Sequence, residues 1–176
     1  MINFPVQDSR EKTLIKIVEM RKRLECILPL LTPQVRVNIA IATNDAIDSS
    51  GIAAFPGRLT PIGGRARPLS SPKFGASSHL SELLLDLRKL GSMASVIINL
   101  RWDSIISELL NTLDLTSVKL IRNGDSLSIN KRTLGAEALI DEGGYGFEPS
   151  LYIVSHDHER VCNIVENLAK SMEAMA

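Results

Sequence analysis

Residues 73–100, KFGASSHLSELLLDLRKLGSMASVIINL, place an amphipathic helix directly before a buried strand. Leucines recur at helical spacing after His79, Gly91 is a typical helix stop, and residues 93–100 form the apolar run of an interior strand. The turn that precedes the helix, residues 75–79, is small and polar. Because a helix N-terminus presents unpaired N–H groups and the positive end of the helix dipole, this turn is able to hold an anion.

Helical and strand patterns alternate on both sides of this unit. A helix is predicted from Asp8 or Ser9 to Leu31, and a last helix is predicted after a capping Asp157. The segments between them predict strands at 35–43, 116–122 and 150–155, a strand interrupted by turns at 53–62, and helices at 102–114 and 131–139. Strands separated by helices indicate one α/β domain with a central sheet flanked by helices, in which an N-terminal helix, residues 1–32, packs on residues 33–176.

Composition narrows the possible classes of protein. A chain of 176 residues, 44% hydrophobic and 23% charged, suits a single globular domain, and its net charge of zero argues against nucleic-acid binding. The apolar runs are too short to cross a membrane. Cys26 and Cys162 follow no secretory signal, which predicts reduced thiols in a cytoplasmic protein. The apolar first and last helices provide a surface for a possible homodimer.

The region before the helix is locally basic. Between Asp48 and Glu82 the sequence has no acidic residue, but it has four cations, Arg58, Arg65, Arg67 and Lys73. Arginine pairs bidentately with phosphate, so the basic segment and the helix N-terminus together suit a phosphorylated ligand. The alternative is an exposed basic loop with a serine-capped helix, and composition leaves both interpretations open.

Two further polar segments allow a functional and a structural interpretation. In DEGGYGFEP, residues 141–149, the first two carboxylates could bind a metal or a polar substrate atom, but a tight turn between elements is the preferred interpretation. No Gly-Lys-Ser/Thr follows, so the segment is not a P-loop. His156 and His158 lie at a helix entry without further ligands at suitable spacing, and we expect them to face solvent.

Several blocks, in order, resemble one family. The segments NIAIATNDAIDSSGIAAFPGRLTPIGGRARPLSSPKFGASSHL, IINLRW and LIDEGGYGFEPSLYIVSHDHERV are similar to successive blocks of the ThiN family of thiamine-phosphate synthases. The family's characteristic words are P-G-R, F-G-A-S-S-H and N-x-R, and the resemblance extends from about Thr13 to the end of the chain.

The resemblance implies a reaction, in which hydroxymethylpyrimidine diphosphate and hydroxyethylthiazole phosphate form thiamine phosphate and diphosphate. Both substrates are anionic, as the local charge suggests. It also implies that Arg58 and His79 are catalytic, as a cation on the diphosphate and as a hydrogen-bond donor or general acid. Phosphate or substrate binding is expected of Gly75, Ala76, Ser77, Ser78, Arg67, Asn99, Arg101, Asp141, Gly143, Gly144 and Glu148.

The chain departs from the family pattern at two positions. Phe147 stands where the family has a lysine, and Ile121 stands beside Arg122 where an aspartate is common. A domain that lost such contacts could bind thiamine phosphate without making it, so a sensor or regulatory domain is the alternative function. Mg²⁺ is expected because it commonly bridges diphosphate oxygens, although its ligands are unknown, and no organic cofactor is expected.

Overall fold

The computed structural model describes residues 5–175, with side chains from Ser9 onward. The helices are α1 (Pro5–Leu24), α2 (Ser78–Lys89), α3 (Ser104–Thr112) and α4 (His158–Met175), with 3₁₀ turns at Leu28–Leu31, Ser49–Gly51 and Lys131–Thr133. The strands are β1 (Ile39–Ala42), β2 (Ile52–Ala54), β3 (Leu59–Ile62), β4 (Arg65–Pro68), β5 (Lys73–Phe74), β6 (Val96–Arg101), β7 (Ser117–Lys119), β8 (Ile121–Asn123), β9 (Ser126–Ser128), β10 (Ala138–Asp141) and β11 (Ser150–Ser155).

A seven-stranded sheet forms the centre of the molecule, in the order β5-β2-β1-β6-β11-β10-β7. Its neighbouring strands are antiparallel, except that β10 and β7 are parallel. All of β1 and the first five residues of β6 are buried, as expected for continuous apolar strands covered on both faces. The pairs β3–β4 and β8–β9 form separate two-stranded hairpins.

The helices cover the two faces of the sheet unequally. Alternate residues of β6 point to opposite faces: Ile98 packs in the core beneath α1, α3 and α4, and Ile97 packs in the core beneath α2. The apolar stripe of α2 comes from leucines at helical spacing, Leu80, Leu83, Leu84 and Leu87. This arrangement confirms the α/β class with a central sheet flanked by helices.

The prediction of one helix as far as Leu31 was wrong. The helix α1 begins at Pro5 and ends at Leu24, and a turn leads to the 3₁₀ segment Leu28–Leu31. Pro29 has no N–H for the helical ladder, so the α-helix cannot continue through it. Within residues 5–175, no helix is both long enough and apolar enough to cross a bilayer.

Two predictions between residues 116 and 141 also need correction. The strand predicted at 116–122 is two strands, because β7 joins the central sheet whereas β8 turns away into a hairpin. The helix predicted at 131–139 is wrong: the segment is a 3₁₀ turn followed by the start of β10. Gly135 adopts a left-handed conformation with φ 79°, which ends any helix, and β10 is then held between β11 and β7.

The topology brings several chain segments to one end of the sheet. Register places the end of β6 beside the start of β11, and the end of β10 beside the same residue, Ser150. The helix α2 connects to β6 by a short loop and therefore runs antiparallel to it, so its N-terminus lies at this same end. The turn that carries Arg58 also lies at this end of the sheet, because the guanidinium of Arg58 donates to the carbonyl of Val35 in the segment before β1.

Candidate functional site

A cavity of about 200 Å³ opens at this end of the sheet, beside the N-terminus of α2. Strands, a helix start and four loops contribute to its wall, so residues far apart in the sequence meet there. The lining residues are Val35, Asn38, Arg58, Ser77, His79, Leu80, Asn99, Arg122, Asp125, Asp141, Gly146, Phe147, Glu148, Ser150 and Tyr152. Six of these, Arg58, Ser77, His79, Asn99, Asp141 and Glu148, are residues that the sequence had indicated.

Arg58 reaches the cavity from a tight turn with unusual backbone geometry. The N–H of Arg58 donates to the carbonyl of Phe55 at 3.1 Å, which closes a turn with Pro56 and Gly57 at its centre. Gly57 has φ 72°, and Arg58 itself has φ 67°, a left-handed conformation that is uncommon for a residue with a side chain. Nη1 of Arg58 donates to the carbonyl of Val35, which fixes the guanidinium at the cavity wall. Such strain is found most often at functional sites.

The start of α2 supplies the second element of the cavity. Ser77 is the N-cap, and its Oγ accepts from the N–H of Leu80 at 3.4 Å. The remaining N–H groups of the first turn and the helix dipole favour negative charge at this end. Arg58 and the helix N-terminus line the same cavity, which makes it suited to a phosphate or another oxyanion.

His79, in the first turn of α2, is paired with a buried tyrosine. Its Nε2 lies 2.7 Å from the hydroxyl of Tyr152, and the two ring centroids are 5.6 Å apart. Burial lowers the pKa of His79, and the charges of Arg58 and Arg122 lower it further. Burial also raises the pKa of Tyr152 to about 12. Both groups are therefore neutral near pH 7.

A buried ion pair forms the wall opposite Arg58. Asp141, at the end of β10, accepts from Nε of Arg122 at 3.2 Å and also from its Nη2, and it accepts from the N–H of Gly143 at 2.9 Å. Only 2% of the Asp141 side chain and 14% of the Arg122 side chain are exposed. The guanidinium also stacks on the ring of Phe147, 4.2 Å from its centroid. Arg122 is thus fixed in place, with its charge balanced by Asp141.

Glu148 connects the glycine-rich loop to the opposite rim of the cavity. Its carboxylate accepts from the backbone N–H groups of Gln34 at 2.6 Å and Val35 at 2.9 Å. Asn99 has a similar bridging role: its Oδ1 accepts from the N–H of Asn38 at 2.7 Å, and its Nδ2 donates to the carbonyl of Arg36 at 2.9 Å. Both side chains line the cavity while holding the segment before β1 in place.

The glycine cluster forms a tight turn, as the preferred interpretation of the sequence expected. Gly144 and Phe147 exchange two backbone hydrogen bonds, at 3.1 and 3.0 Å. Gly143 has φ 76°, and a Cβ there would lie 2.7 Å from the carbonyl oxygen of Phe147. Gly143 and Gly144 therefore shape the loop, whereas Gly146 and Phe147 line the cavity itself. Tyr145, at the tip of the turn, is fully exposed.

Other candidate residues lie outside the cavity wall. Arg67, on β4, lies 3.6 Å from Glu25, and Arg65 pairs with the same carboxylate. Arg101, after the buried part of β6, pairs with Asp103 at 2.8 Å and donates to the carbonyl of Leu30. The structure does not bring Arg67 or Arg101 to the cavity: Arg67 lies beside Glu25 from a distant segment, and Arg101 pairs with Asp103, two residues further along the chain.

The three remaining candidates, Gly75, Ala76 and Ser78, belong to the turn before α2. The N–H of Gly75 donates to the carbonyl of Ile52 at 2.9 Å, Ala76 packs against the core beneath α2, and Ser78 is exposed in a shallow surface hollow with Glu82. They position the helix start, although they do not line the cavity.

Sequence reasoning missed four polar residues of the wall, Asn38, Asp125, Ser150 and Tyr152. The alternation in SLYIVS offered a signal for Tyr152, because a polar hydroxyl lies among apolar residues of a buried strand. Asp125 lies in the turn of the β8–β9 hairpin, and only the three-dimensional fold places that turn at the cavity.

The described residues contain no group of three or more His, Cys, Asp or Glu side chains arranged to hold a metal ion. Asp141 is occupied by Arg122 and Gly143, and Glu142 pairs with Lys119 at 2.6 Å. His158 lies near two acidic neighbours, Asp157 at 3.6 Å and Glu159 at 3.3 Å, while His156 is exposed.

Fold and site together define an α/β domain with a polar cavity lined by Arg58 and the N-terminus of α2. The family of the thiamine-phosphate synthase ThiN matches residues 14–167, and the chain belongs to this family. The thiamine-phosphate synthase ThiN of Methanothermobacter thermautotrophicus is 22% identical over 92% of this chain and 96% of its own length.

Two further relatives extend this comparison. The bifunctional thiamine biosynthesis protein ThiDN of Methanocaldococcus jannaschii is 26% identical over 80% of this chain, which matches only 36% of that longer protein. Among solved structures, the C-terminal domain of protein MJ0236 has a TM-score of 0.82, with 21% identity and coverage of 95% of this chain and 98% of that one. That structure supports the same fold.

Proposed function

We propose that this protein is a thiamine-phosphate synthase, which joins hydroxymethylpyrimidine diphosphate to hydroxyethylthiazole phosphate and releases diphosphate. The observation that carries the proposal is the meeting of Arg58, the N-terminus of α2 and His79 at one cavity, in a chain that belongs to the ThiN family. Phosphorylated pyrimidine and thiazole compounds are the ligands that this family implies.

The reaction is a substitution at the methylene carbon of the pyrimidine. The lone pair of the thiazole nitrogen forms the new C–N bond, while the C–O bond breaks and its electron pair leaves with the diphosphate oxygen. Negative charge accumulates on the leaving group, so fixed cations and N–H donors around it lower the barrier, and a covalent enzyme nucleophile is not needed.

Arg58 is the proposed cation for the leaving diphosphate. Its guanidinium is fixed by the strained turn and by Val35, so it need not reorganise when charge develops. Ser77 and the free N–H groups of the first turn of α2 are the proposed phosphate cradle on the adjacent wall. Arg122 is already balanced by Asp141 and is assigned a supporting role in the wall.

His79 is the proposed hydrogen-bond donor to a departing oxygen. Its lowered pKa favours the neutral imidazole near pH 7, which carries one N–H and can donate a hydrogen bond without adding a charge beside Arg58. The loop at 143–148 is proposed to cover the bound substrates, because Gly146 and Phe147 line the cavity and Glu148 ties the loop to the opposite rim.

Mg²⁺ stays a prediction for this protein. Two carboxylates at the cavity, Asp141 and Glu148, are paired with Arg122 or with backbone N–H groups, and the described residues contain no group of three or more His, Cys, Asp or Glu side chains arranged around an ion, so no step is assigned to it. A homodimer through the first and last helices likewise stays a prediction.

The test is turnover by the purified protein with both substrates and Mg²⁺, in which thiamine phosphate is measured by thiochrome fluorescence. We expect product from the wild type and a large loss with Arg58→Ala or His79→Ala. Calorimetry with thiamine phosphate is run on the same samples. Unchanged turnover in both variants would reject the assigned roles, and binding without any turnover would instead favour a sensor of thiamine phosphate.

A further inference from the structure

Tyr152 lines the cavity, and neither the family resemblance nor the proposed roles account for it. It lies in β11 opposite Asn99 of β6, and only 3% of the residue is exposed. Its hydroxyl lies 2.7 Å from Nε2 of His79, and the two rings are tilted by 56°. A side chain buried in a close-packed interior moves little, so the phenol is able to hold its partner in one place.

The direction of the hydrogen bond follows from the neighbours of the phenol. Ser150, two residues earlier in β11, faces the same side of the sheet and lines the same cavity, and hydrogen bonding from its side chain partly offsets the raised pKa of Tyr152. If the hydroxyl of Ser150 donates to the phenol oxygen, the phenol's own proton is directed at Nε2 of His79. In this arrangement the hydroxyl of Ser150 donates to Tyr152, the hydroxyl of Tyr152 donates to His79, and Nε2 of His79 is the acceptor.

The charged groups around His79 favour the same neutral state of the ring. The turn contributes Arg58, the hairpin strand β8 contributes Arg122, strand β10 contributes Asp141, and the next residues of α2 itself contribute Glu82. Burial and the two arginines oppose a charged imidazole, while the two carboxylates only partly offset them. The imidazole is consequently neutral near pH 7, and its one proton must lie on one of two nitrogens.

We infer that Tyr152 is a positioning residue for His79: its O–H donates to Nε2, which places the single imidazole proton on Nδ1 and fixes the ring. The tautomer that Tyr152 imposes on His79 does not depend on which reaction the protein catalyses. Its catalytic consequence rests on the proposed function, because a fixed Nδ1–H would be the group offered to a departing diphosphate oxygen.

The tautomer is measured directly by ¹⁵N NMR of the histidine side chains near pH 7, with His79 assigned from the spectrum of His79→Gln. We expect Nδ1 of His79 to be the protonated nitrogen in the wild type. In Tyr152→Phe the hydrogen bond is absent, and the proton should redistribute toward Nε2. The matched control is Ile153→Val, which alters the next residue of the same strand on the opposite face and should leave the His79 resonances unchanged.

Measurements of kcat and KM then show whether Tyr152 positions His79 or only stabilises the fold. We expect kcat of Tyr152→Phe to fall about tenfold to a hundredfold with KM little changed, since a well-placed proton donor contributes roughly 10²–10⁴ in rate. Its profile of kcat against pH should also shift, whereas Ile153→Val should keep the wild-type profile.

Each result has a distinct meaning. Protonated Nε2 in the wild type, or identical His79 spectra in the wild type and Tyr152→Phe, would overturn the inference even if the protein is fully active. A wild type without synthase activity would reject the proposed function, and the NMR result would still decide whether Tyr152 sets the tautomer of His79.

Discussion

Two pairs of arginines in this molecule have different environments. Arg65 and Arg67, on the β3–β4 hairpin, lie with about half of their side chains exposed and share the carboxylate of Glu25. Arg58, a few residues earlier, lies on a strained turn at the cavity, and Arg122 opposite it is buried against Asp141. The surface pairs are exposed to screening by water, whereas the cavity groups are held by backbone and buried partners.

The difference teaches that the basic segment is not a single phosphate site. The number of cations in the basic segment predicts that it attracts anions. An arginine can bind an anionic ligand, however, only if no carboxylate from a distant segment pairs with it. Glu25 comes from the turn after α1, far away in sequence, and holds the hairpin arginines. The predictions below test this distinction between fixed cavity groups and exchangeable surface pairs.

The largest expected effect is on folding, at the buried pair. Asp141→Asn leaves the Arg122 guanidinium buried without its counter-charge, and we expect the free energy of unfolding to fall by about 3–5 kcal/mol. Denaturant melting measures this change. The adjacent Glu142 is the matched control, because its pair with Lys119 is about 60% exposed on both sides.

For Glu142→Gln we expect almost no change in the unfolding midpoint, since exposed pairs contribute little. Equal losses in the two variants would mean that the pair at the cavity behaves like a surface pair, and the contrast between the two environments would disappear.

The next effect is on activity and compares Arg58 with Arg67. Arg58→Ala removes a preorganised cation from the cavity, so kcat/KM for thiamine phosphate formation should fall by about 10²–10³-fold. Arg67→Ala removes a cation that lies beside Glu25, and its kcat/KM should stay near the wild-type value. Both variants are checked by circular dichroism for retained fold. A comparable loss for Arg67→Ala would show that the hairpin reaches the substrate during turnover.

These contrasts also explain which parts of the molecule could be predicted from sequence. The α/β class, the helix after Ser77 and the strand that ends near Arg101 follow from local periodicity and capping, which adjacent residues determine. The end of β10 and the pairing of Arg67 depend on contacts between distant segments. No local pattern records those contacts, and so the helix predicted at 131–139 was wrong.

The candidate site divides in the same way. Arg58 and His79 lie in recognisable motifs, and the structure places both at the cavity, although their roles stay predictions. Asp125 could not be selected, because only the position of its hairpin brings it to the wall, and for Tyr152 the sequence offered its polar hydroxyl in a buried strand but not the strand register that places it at the wall. A residue that acts through its neighbour has no signature in a single sequence.

A smaller effect concerns the two kinds of glycine turn. Gly143→Ala must place a Cβ 2.7 Å from the carbonyl oxygen of Phe147 at φ 76°, so we expect a loss of about 2–3 kcal/mol in stability. Gly63, in the β3–β4 turn, has φ 57° with open space around its Cβ position. Gly63→Ala should therefore cost about 1 kcal/mol, from backbone conformation alone. Similar losses of stability in the two variants would mean that the loop beside the cavity adjusts to an added Cβ as easily as the β3–β4 turn does.

The smallest effect is the pH dependence that His79 gives to stability. Its pKa in the folded chain lies below the ordinary 6.5, so between these two values the unfolded chain binds a proton that the folded chain does not. The free energy of unfolding should decrease as pH falls from 6.5 toward the folded pKa, and this contribution should stop changing below it. Denaturant melts at several pH values measure the slope, and His79→Gln should remove it.

The same titration separates the two groups of arginines. Arg58 is one of the charges that lower the pKa of His79, so Arg58→Ala should raise that pKa and make the pH-dependent loss smaller. Arg67 pairs with Glu25 and is not among the groups that shift His79, so Arg67→Ala should keep the wild-type slope. Equal changes of the slope in the two variants would mean that Arg67 affects the pKa of His79 as much as Arg58 does. The position of Arg58 at the cavity would then have no special effect on His79.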